Sequence, residues 1–333
     1  MRTPHRRRRR PVDRRQRAAA RARHDDLHDF SSPRQLIGAS DHPVTRRSWR
    51  SGGGNVSKIL YFSDIHIEIR EKENQPAWTG VRPLGLGPDL TVHAGTADLV
   101  VLAGDIGRMR SRRDVSTLRY AEQTAAYLKC PAVVIPGNHE YYRGSFDDER
   151  EALLAARVAG VTVLDRGEAH YACGHRSLRI LGATLWTDYA VLGDPEQGMR
   201  EAGQALEDHR LITRRGGSPF LPQDALAEHR LSRAWLAQKL AQRHDGPTLV
   251  VTHHVPHSAA RNPVHGATPL SPAFDSDCDD LIAAAARAQV AAWIFGHHHW
   301  SQEVEVGGMR LVSAQPGYPG EQTGWNGPGI LSI

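Results

Sequence analysis

The sequence predicts an α/β fold, and three observations predict it. Five short apolar runs each end in a polar, chemistry-bearing tip. Helical patterns lie between these runs, and the chain closes on strand-like segments joined by a tight turn.

The first run is 58–63, Lys-Ile-Leu-Tyr-Phe-Ser, which leads to Asp64 as a buried strand would deliver a side chain to a sheet edge. The pattern recurs at 98–103 before Asp105, 132–135 before Asn138, 248–252 before His253, and 291–295 before His297. In α/β sheets ligands collect outside the carboxyl ends of strands, so five such ends are expected to converge on one site. Helices are predicted over 114–129, 146–159, 222–244 and 279–288. In the third of these, Ala227, Leu231, Ala234, Trp235 and Ala241 fall at helical spacing and read as a core-facing stripe. Segments 161–164, 177–184, 302–306 and 309–312 read as strands, the last two joined through Gly307-Gly308 as a hairpin. The Gly/Pro-rich stretches 80–88, 261–272 and 316–329 read as loops.

With 333 residues, 40% of them hydrophobic, the chain can bury a substantial core. No apolar run approaches the roughly 20 residues that cross a bilayer. Cys130, Cys173 and Cys278 are odd in number and far apart, which argues for a reducing compartment and an expected cytoplasmic location. The net charge of +5 conceals a division: residues 1–55 hold 15 Arg against 5 Asp, and the remainder holds 27 basic against 32 acidic residues. That first segment, with Arg6 to Arg10 and no apolar period, reads as a disordered extension ahead of a single domain at 56–333. Two other readings exist for it: a nucleic-acid arm, or an untranslated stretch with translation starting at Val56. Peptides from residues 11–50 in the native protein would exclude the last.

The motifs differ in weight. Asp64-x-His66 means little by itself, since composition supplies about one such pair by chance and Asp26-x-His28 is a decoy. Its place after a strand gives it value, because residues two apart on an extended chain face the same side. Gly137-Asn138-His139-Glu140 is far more specific, and both Asn and neutral His ligate divalent metals. His253, His254, His257, His297, His298 and His299 crowd two short segments, a density that packing does not explain. By alternation His297 and His299 share a side and His298 points away.

In this order the motifs resemble the calcineurin-like metallophosphoesterase family, over residues 58 to about 318. The resemblance implies a four-layer αββα sandwich, two mixed sheets face to face with helices outside. It implies a first metal site of Asp64, His66, Asp105 and His299 and a second of Asp105, Asn138, His253 and His297, with Asp105 bridging. Two divalent cations would neutralise phosphoryl oxygens and lower the pKa of a bridging water, whose hydroxide attacks the ester. His and carboxylate donors suit manganese, iron or zinc. His139, not needed as a ligand, is left to protonate the leaving oxygen or to stabilise the transferring phosphoryl group.

Protein Ser/Thr phosphatases of this superfamily carry Val-Asp-Arg-Gly after their Gly-Asp and Arg before Gly-Asn-His-Glu. Here Ile106-Gly107-Arg108-Met109 and Pro136 stand instead, and the chain looks like an uncharacterised bacterial branch. His209, Arg210 and Tyr142 are candidate substrate contacts, and Trp186 and Tyr318 candidate pocket walls. The expected activity is hydrolysis of a small phosphate mono- or diester, with no membrane partner. The alternatives are a nuclease using the basic arm, which steep salt dependence would reveal, and a scaffold of the same fold without metals.

Overall fold

The computed structural model describes residues 56–70, 87–109 and 116–333. Two mixed sheets form its centre. The first orders β11 (Gly329–Ser332), β1 (Lys58–Phe62), β2 (Leu99–Ala103), β3 (Ala132–Ile135) and β4 (Val161–Val163), with β1 to β4 parallel and β11 antiparallel at the edge. The second orders β5 (Gly167–Cys173), β6 (Arg176–Ala183), β7 (Thr248–Thr252), β8 (Ala292–Ile294), β10 (Met309–Ser313) and β9 (Gln302–Val306). Here β6, β7, β8 and β10 run parallel, and β5 and β9 close the two edges antiparallel.

Strict alternation along the inner strands builds two cores. Ile180, Leu249, Val251, Ile294 and Val312 join Ile59, Val100, Leu102 and Val133 in one cluster between the sheets. The intervening Leu181, Val250, Trp293 and Leu311 turn outward to α6 (Pro222–Leu240) and α7 (Asp279–Arg287), meeting Leu236, Leu240, Leu281 and Ile282. On the other side, Tyr120, Ala121, Ala125 and Leu128 of α2 (Thr117–Leu128) join the first cluster. Burial on both faces explains why the parallel strands appear in sequence as continuous apolar runs. The layering is helix, sheet, sheet, helix, as the resemblance implied.

The predicted stripe on α6 holds at Trp235, which packs against the outer core, and fails at its other four positions. Ala227, Leu231, Ala234 and Ala241 are exposed, and the buried face is Ala225, Glu228, His229, Ser232, Leu236 and Leu240. Half of that face is polar because it carries fixed partners: Glu228 pairs with Arg166, and His229 donates Nδ1–H to the Trp186 carbonyl. Hydrophobic spacing cannot find a face of that kind. Also unforeseen are β5, β11, α4 (Pro195–Ala205) and the one-turn α5 (Asp208–Leu211). Gly307 and Gly308 both take positive φ in the β9–β10 turn, the backbone that a two-residue hairpin needs. The Arg-rich segment, its nucleic-acid reading and the proposed start at Val56 concern residues 1–55, which lie outside the described residues. Among the described residues no helix is long and apolar enough to cross a membrane.

Candidate metal centre

Five strand ends converge, and backbone hydrogen bonds tie their loops together. Asp64 N–H donates to the Gly104 carbonyl at 3.0 Å, His66 N–H to Asp105 at 3.0 Å, and Gly296 N–H to His253 at 2.9 Å. Across the two sheets, Ser63 N–H reaches the Ala314 carbonyl at 3.1 Å. Glu140 brackets the loop after β2: its carboxylate accepts the N–H groups of Asp105, Ile106, Gly107 and Gly137 and the Thr117 hydroxyl. Gly137 is needed for proximity, since a Cβ there would overlap the Asp105 carboxylate. A Cβ on Gly104 would likewise meet the His253 ring.

Asp105 stands between two sets of donors. Its Oδ2 lies 3.9 Å from His66 Nε2, and its Oδ1 lies 3.4 Å from His253 Nε2. On the first side, His66 Nε2 and His299 Nε2 face each other at 2.9 Å, with Asp64 Oδ1 3.6 Å from the His299 nitrogen. His299 Nδ1 donates to Glu321 at 2.6 Å, which leaves Nε2 without a proton in the neutral ring. On the second side, His253 Nδ1 donates to the Ala103 carbonyl at 2.9 Å. His253 Nε2 then faces His297 Nδ1 at 3.2 Å and Asn138 Oδ1 at 3.1 Å. Ring nitrogens that face each other this closely repel unless a proton or a cation lies between them. His297 Nε2 is buried with no hydrogen-bond partner.

The electrostatics follow the same division. Burial lowers the His253 pKa, but Asp105 outweighs it and raises the group to about 10. Burial, with His254 and His253 adding to it, holds the facing His297 well below the ordinary value. Asp105 thus favours the charged form of His253, and burial favours the neutral form of His297. Asp105 itself is held well below the usual carboxylate range: burial opposes this, and the His253 and His139 charges overcome it.

Backbone strain is concentrated at the same place. Asp64, His66, Asp105, His297 and His299 all have φ between 48° and 76°. Non-glycine residues seldom take that conformation, which persists only where the surroundings impose it. The convergence expected from strand alternation is therefore achieved by left-handed turns. His298 turns away and accepts the Asn262 N–H on Nδ1.

His139 sits above Asp105. Its Nδ1 is 2.8 Å from Glu68 Oε1, and its Nε2 is 3.2 Å from the Tyr318 hydroxyl and 3.9 Å from Asp105 Oδ2. Burial would lower its pKa, but Asp105 and the hydrogen bond to Glu68 raise it to about 9. Tyr142 stacks on the His139 ring at 4.1 Å, yet its hydroxyl donates to Asp208 at 2.6 Å. Asp208 also accepts Asn138 Nδ2 at 2.8 Å, which turns the amide so that Oδ1 faces His253.

Three of the remaining candidates, His209, Arg210 and Trp186, lie elsewhere. Arg210 is exposed and engages Glu207 and the Ala205 carbonyl, while His209 is buried and donates Nδ1–H to Phe220. From this segment the residue that reaches the centre is Asp208. Trp186 packs with Tyr141, Phe146 and Phe220 in a third apolar cluster, whereas Tyr318 lies 4.5 Å from the His66 ring and 4.6 Å from His299. Glu68, Asp208 and Glu321 were not found by sequence reasoning. Only Glu68 carried a local signal, two residues beyond His66 on the same side of Asp64-x-His66. The donor sets Asp64/His66/His299 and Asp105/His253/His297 each have the ligand types and proximity to hold a metal ion.

A family model described as calcineurin-like phosphoesterase matches residues 57–301. The chain belongs to the calcineurin-like phosphoesterase family. An uncharacterized protein of Acanthamoeba polyphaga mimivirus is 20% identical over 289 residues, covering 83% of this chain and 96% of that one. A crystal structure of phosphopantetheinyl hydrolase from Mycobacterium tuberculosis is similar with a TM-score of 0.54 at 18% identity, over 80% of this chain and 92% of that one. A putative 5'-nucleotidase from Staphylococcus aureus gives 0.47 at 13%, over 83% and 51%. As a member of this family the chain is a metal-dependent hydrolytic phosphoesterase, and its substrate is a phosphoester.

Proposed function

We propose that residues 56–333 form one catalytic domain that binds two divalent cations and hydrolyses a small phosphate mono- or diester. The observation that carries this reading is Asp105, with one oxygen turned to each set of facing imidazole nitrogens. Asp64, His66 and His299 are the further ligands of the first cation, and Asn138, His253 and His297 those of the second. Two cations so held, manganese, iron or zinc by donor type, would offset the negative charge of the phosphoryl oxygens and make a water between them acidic.

The protein's own groups do the rest. Glu68 holds His139 Nδ1, which leaves Nε2 to deliver a proton to the departing oxygen. Asp208 keeps the Asn138 carbonyl oxygen turned inward. Glu321 and the Ala103 carbonyl fix the rings of His299 and His253 by their outer nitrogens, as second partners of metal-binding histidines commonly do. Tyr318 and Tyr142 flank the His139 ring and exclude water from it.

The test is metal analysis of the purified full chain, joined to a panel of phosphate monoesters, diesters and cyclic nucleotides. A phosphopantetheinyl ester, the group named for the mycobacterial neighbour, belongs in that panel. Two equivalents of metal per chain and manganese-stimulated turnover of at least one ester are expected. A single equivalent at saturation would overturn the binuclear reading, and inactivity on every ester would favour the metal-free scaffold.

A further inference from the structure

Glu68 is a buried carboxylate, 5% exposed, lying behind the centre rather than in it. Its Oε1 is 2.8 Å from His139 Nδ1 and 3.9 Å from His66 Nδ1, while its Oε2 is buried without a hydrogen-bond partner. The two Nδ1 atoms are themselves 3.3 Å apart. Both rings turn their other nitrogen inward: His66 Nε2 faces His299 Nε2 at 2.9 Å, and His139 Nε2 lies 3.2 Å from the Tyr318 hydroxyl.

This arrangement poses a proton-placement problem. For His66 Nε2 to ligate a cation, its proton must sit on Nδ1, since a neutral imidazole carries only one. For His139 to give up a proton from Nε2 and remain neutral, Nδ1 must keep its own. Two N–H groups then point into a space 3.3 Å wide, where they repel each other unless an acceptor of negative charge stands beside both. Glu68 is the acidic side chain at that place, and its Oε1 lies beside both Nδ1 atoms, 2.8 Å from that of His139 and 3.9 Å from that of His66. Gly107 borders the other carboxylate oxygen; a Cβ there would lie 3.5 Å from Oε2.

We propose that Glu68 is a positioning carboxylate shared by His66 and His139, fixing both rings with Nδ1 protonated and thereby coupling the first metal set to the proton donor. The inference rests on the proposed role of His139. It distinguishes Glu68 from a third-site ligand, which the proximity of His66, Glu68 and His139 would also allow.

Two measurements on the full chain test it. In a zinc titration followed by calorimetry, Glu68→Gln should weaken binding at one of the two equivalents by about 10- to 100-fold and leave the other unchanged. In a kinetic cycle, Glu68→Gln alone should cut kcat by roughly 10² with little change in KM. The double variant Glu68→Gln/His139→Ala should be no slower than His139→Ala, because groups acting through one another do not add. Glu68→Asp, which restores the charge, should recover part of both losses. Unchanged zinc binding in a folded Glu68→Gln protein, losses that multiply in the double variant, or a third zinc equivalent that Glu68→Gln abolishes would each overturn the proposal. If the wild type binds two zinc ions yet cleaves no ester, the proposed function fails and the titration still judges Glu68.

Discussion

The two donor sets flanking Asp105 use the same chemistry and differ in enclosure. His253 is wholly buried, and His297 and Asn138 are 8% and 4% exposed. Their outer partners are a backbone carbonyl and the buried Asp208. On the other side the His299 side chain is 16% exposed, and the Glu321 that holds it is 39% exposed. Asp64 and His66 are fully buried, so that set is closed at its base and open at one edge. Electrostatic contacts weaken as water gains access, so the same carboxylate–imidazole pair does less at Glu321 than its counterpart deeper in the fold. If each set holds an ion, as proposed, the second should retain it longer than the first.

The strongest test of that comparison removes what the two sets share. Asp105→Asn should lose metal from both, measured as metal content after desalting, with turnover falling to background. Loss from one set alone would mean that Asp105 serves a single ion. The next largest effect is His139→Ala. His139 spans the division, with Glu68 and Tyr318 on one side and the Tyr142 ring on the other, but it faces neither set as a ligand. The variant should retain both metals and lose about 10²- to 10⁴-fold in kcat. Full activity would remove its role as acid.

The third test addresses the enclosed set alone. Asp208 accepts from both Asn138 and Tyr142, and at 2.8 Å it is the nearer of two acceptors, the other being the Tyr142 hydroxyl at 3.3 Å, that distinguish the two ends of the Asn138 amide. In Asp208→Ala the amide is free to flip and present its NH₂ to the cation. Affinity at the second set should drop by about 10- to 100-fold while the first set is unaffected. Equal weakening of both sets would show a general loss of folding instead.

The five strands were legible because parallel strands buried on both faces leave continuous apolar runs, and the tips after them are chemically unlike the runs. The residues brought together at those tips were legible by the same contrast. Their geometry was not. Alternation along extended chain led to the expectation that His297 and His299 share a side and His298 does not, but His297 and His299 reach their places through left-handed backbone. Such backbone is imposed by the surrounding tertiary contacts and leaves no periodic trace. The supporting carboxylates were hidden for a related reason. Asp208 lies 70 residues from the Asn138 it orients, and Glu321 lies 22 residues from His299 in a stretch that reads only as loop. Arg210 drew attention by its chemistry, while the adjacent Asp208 had no spacing to reveal it. The α6 stripe failed because half of its buried face is Glu228, His229 and Ser232, and the partners of the first two come from distant segments.

The smallest effect is expected at Glu321. The carboxylate accepts His299 Nδ1–H at 2.6 Å and the Tyr318 backbone N–H at 2.8 Å, so it orders both the proposed ligand and the loop that carries Tyr318. Glu321→Gln keeps an acceptor oxygen for the ring and removes only the charge. At a site this exposed, the charge contributes about 0.2 to 1 kcal/mol, or a factor of up to about five in affinity. Timed chelation separates this from the enclosed set: in the wild type one equivalent should leave quickly and the other slowly. In Glu321→Gln the fast phase should accelerate, and the slow phase should keep its rate. Acceleration of the slow phase would place Glu321 behind the wrong ion. Loss of both equivalents at one rate in the wild type would mean that the difference in enclosure has no consequence for metal exchange.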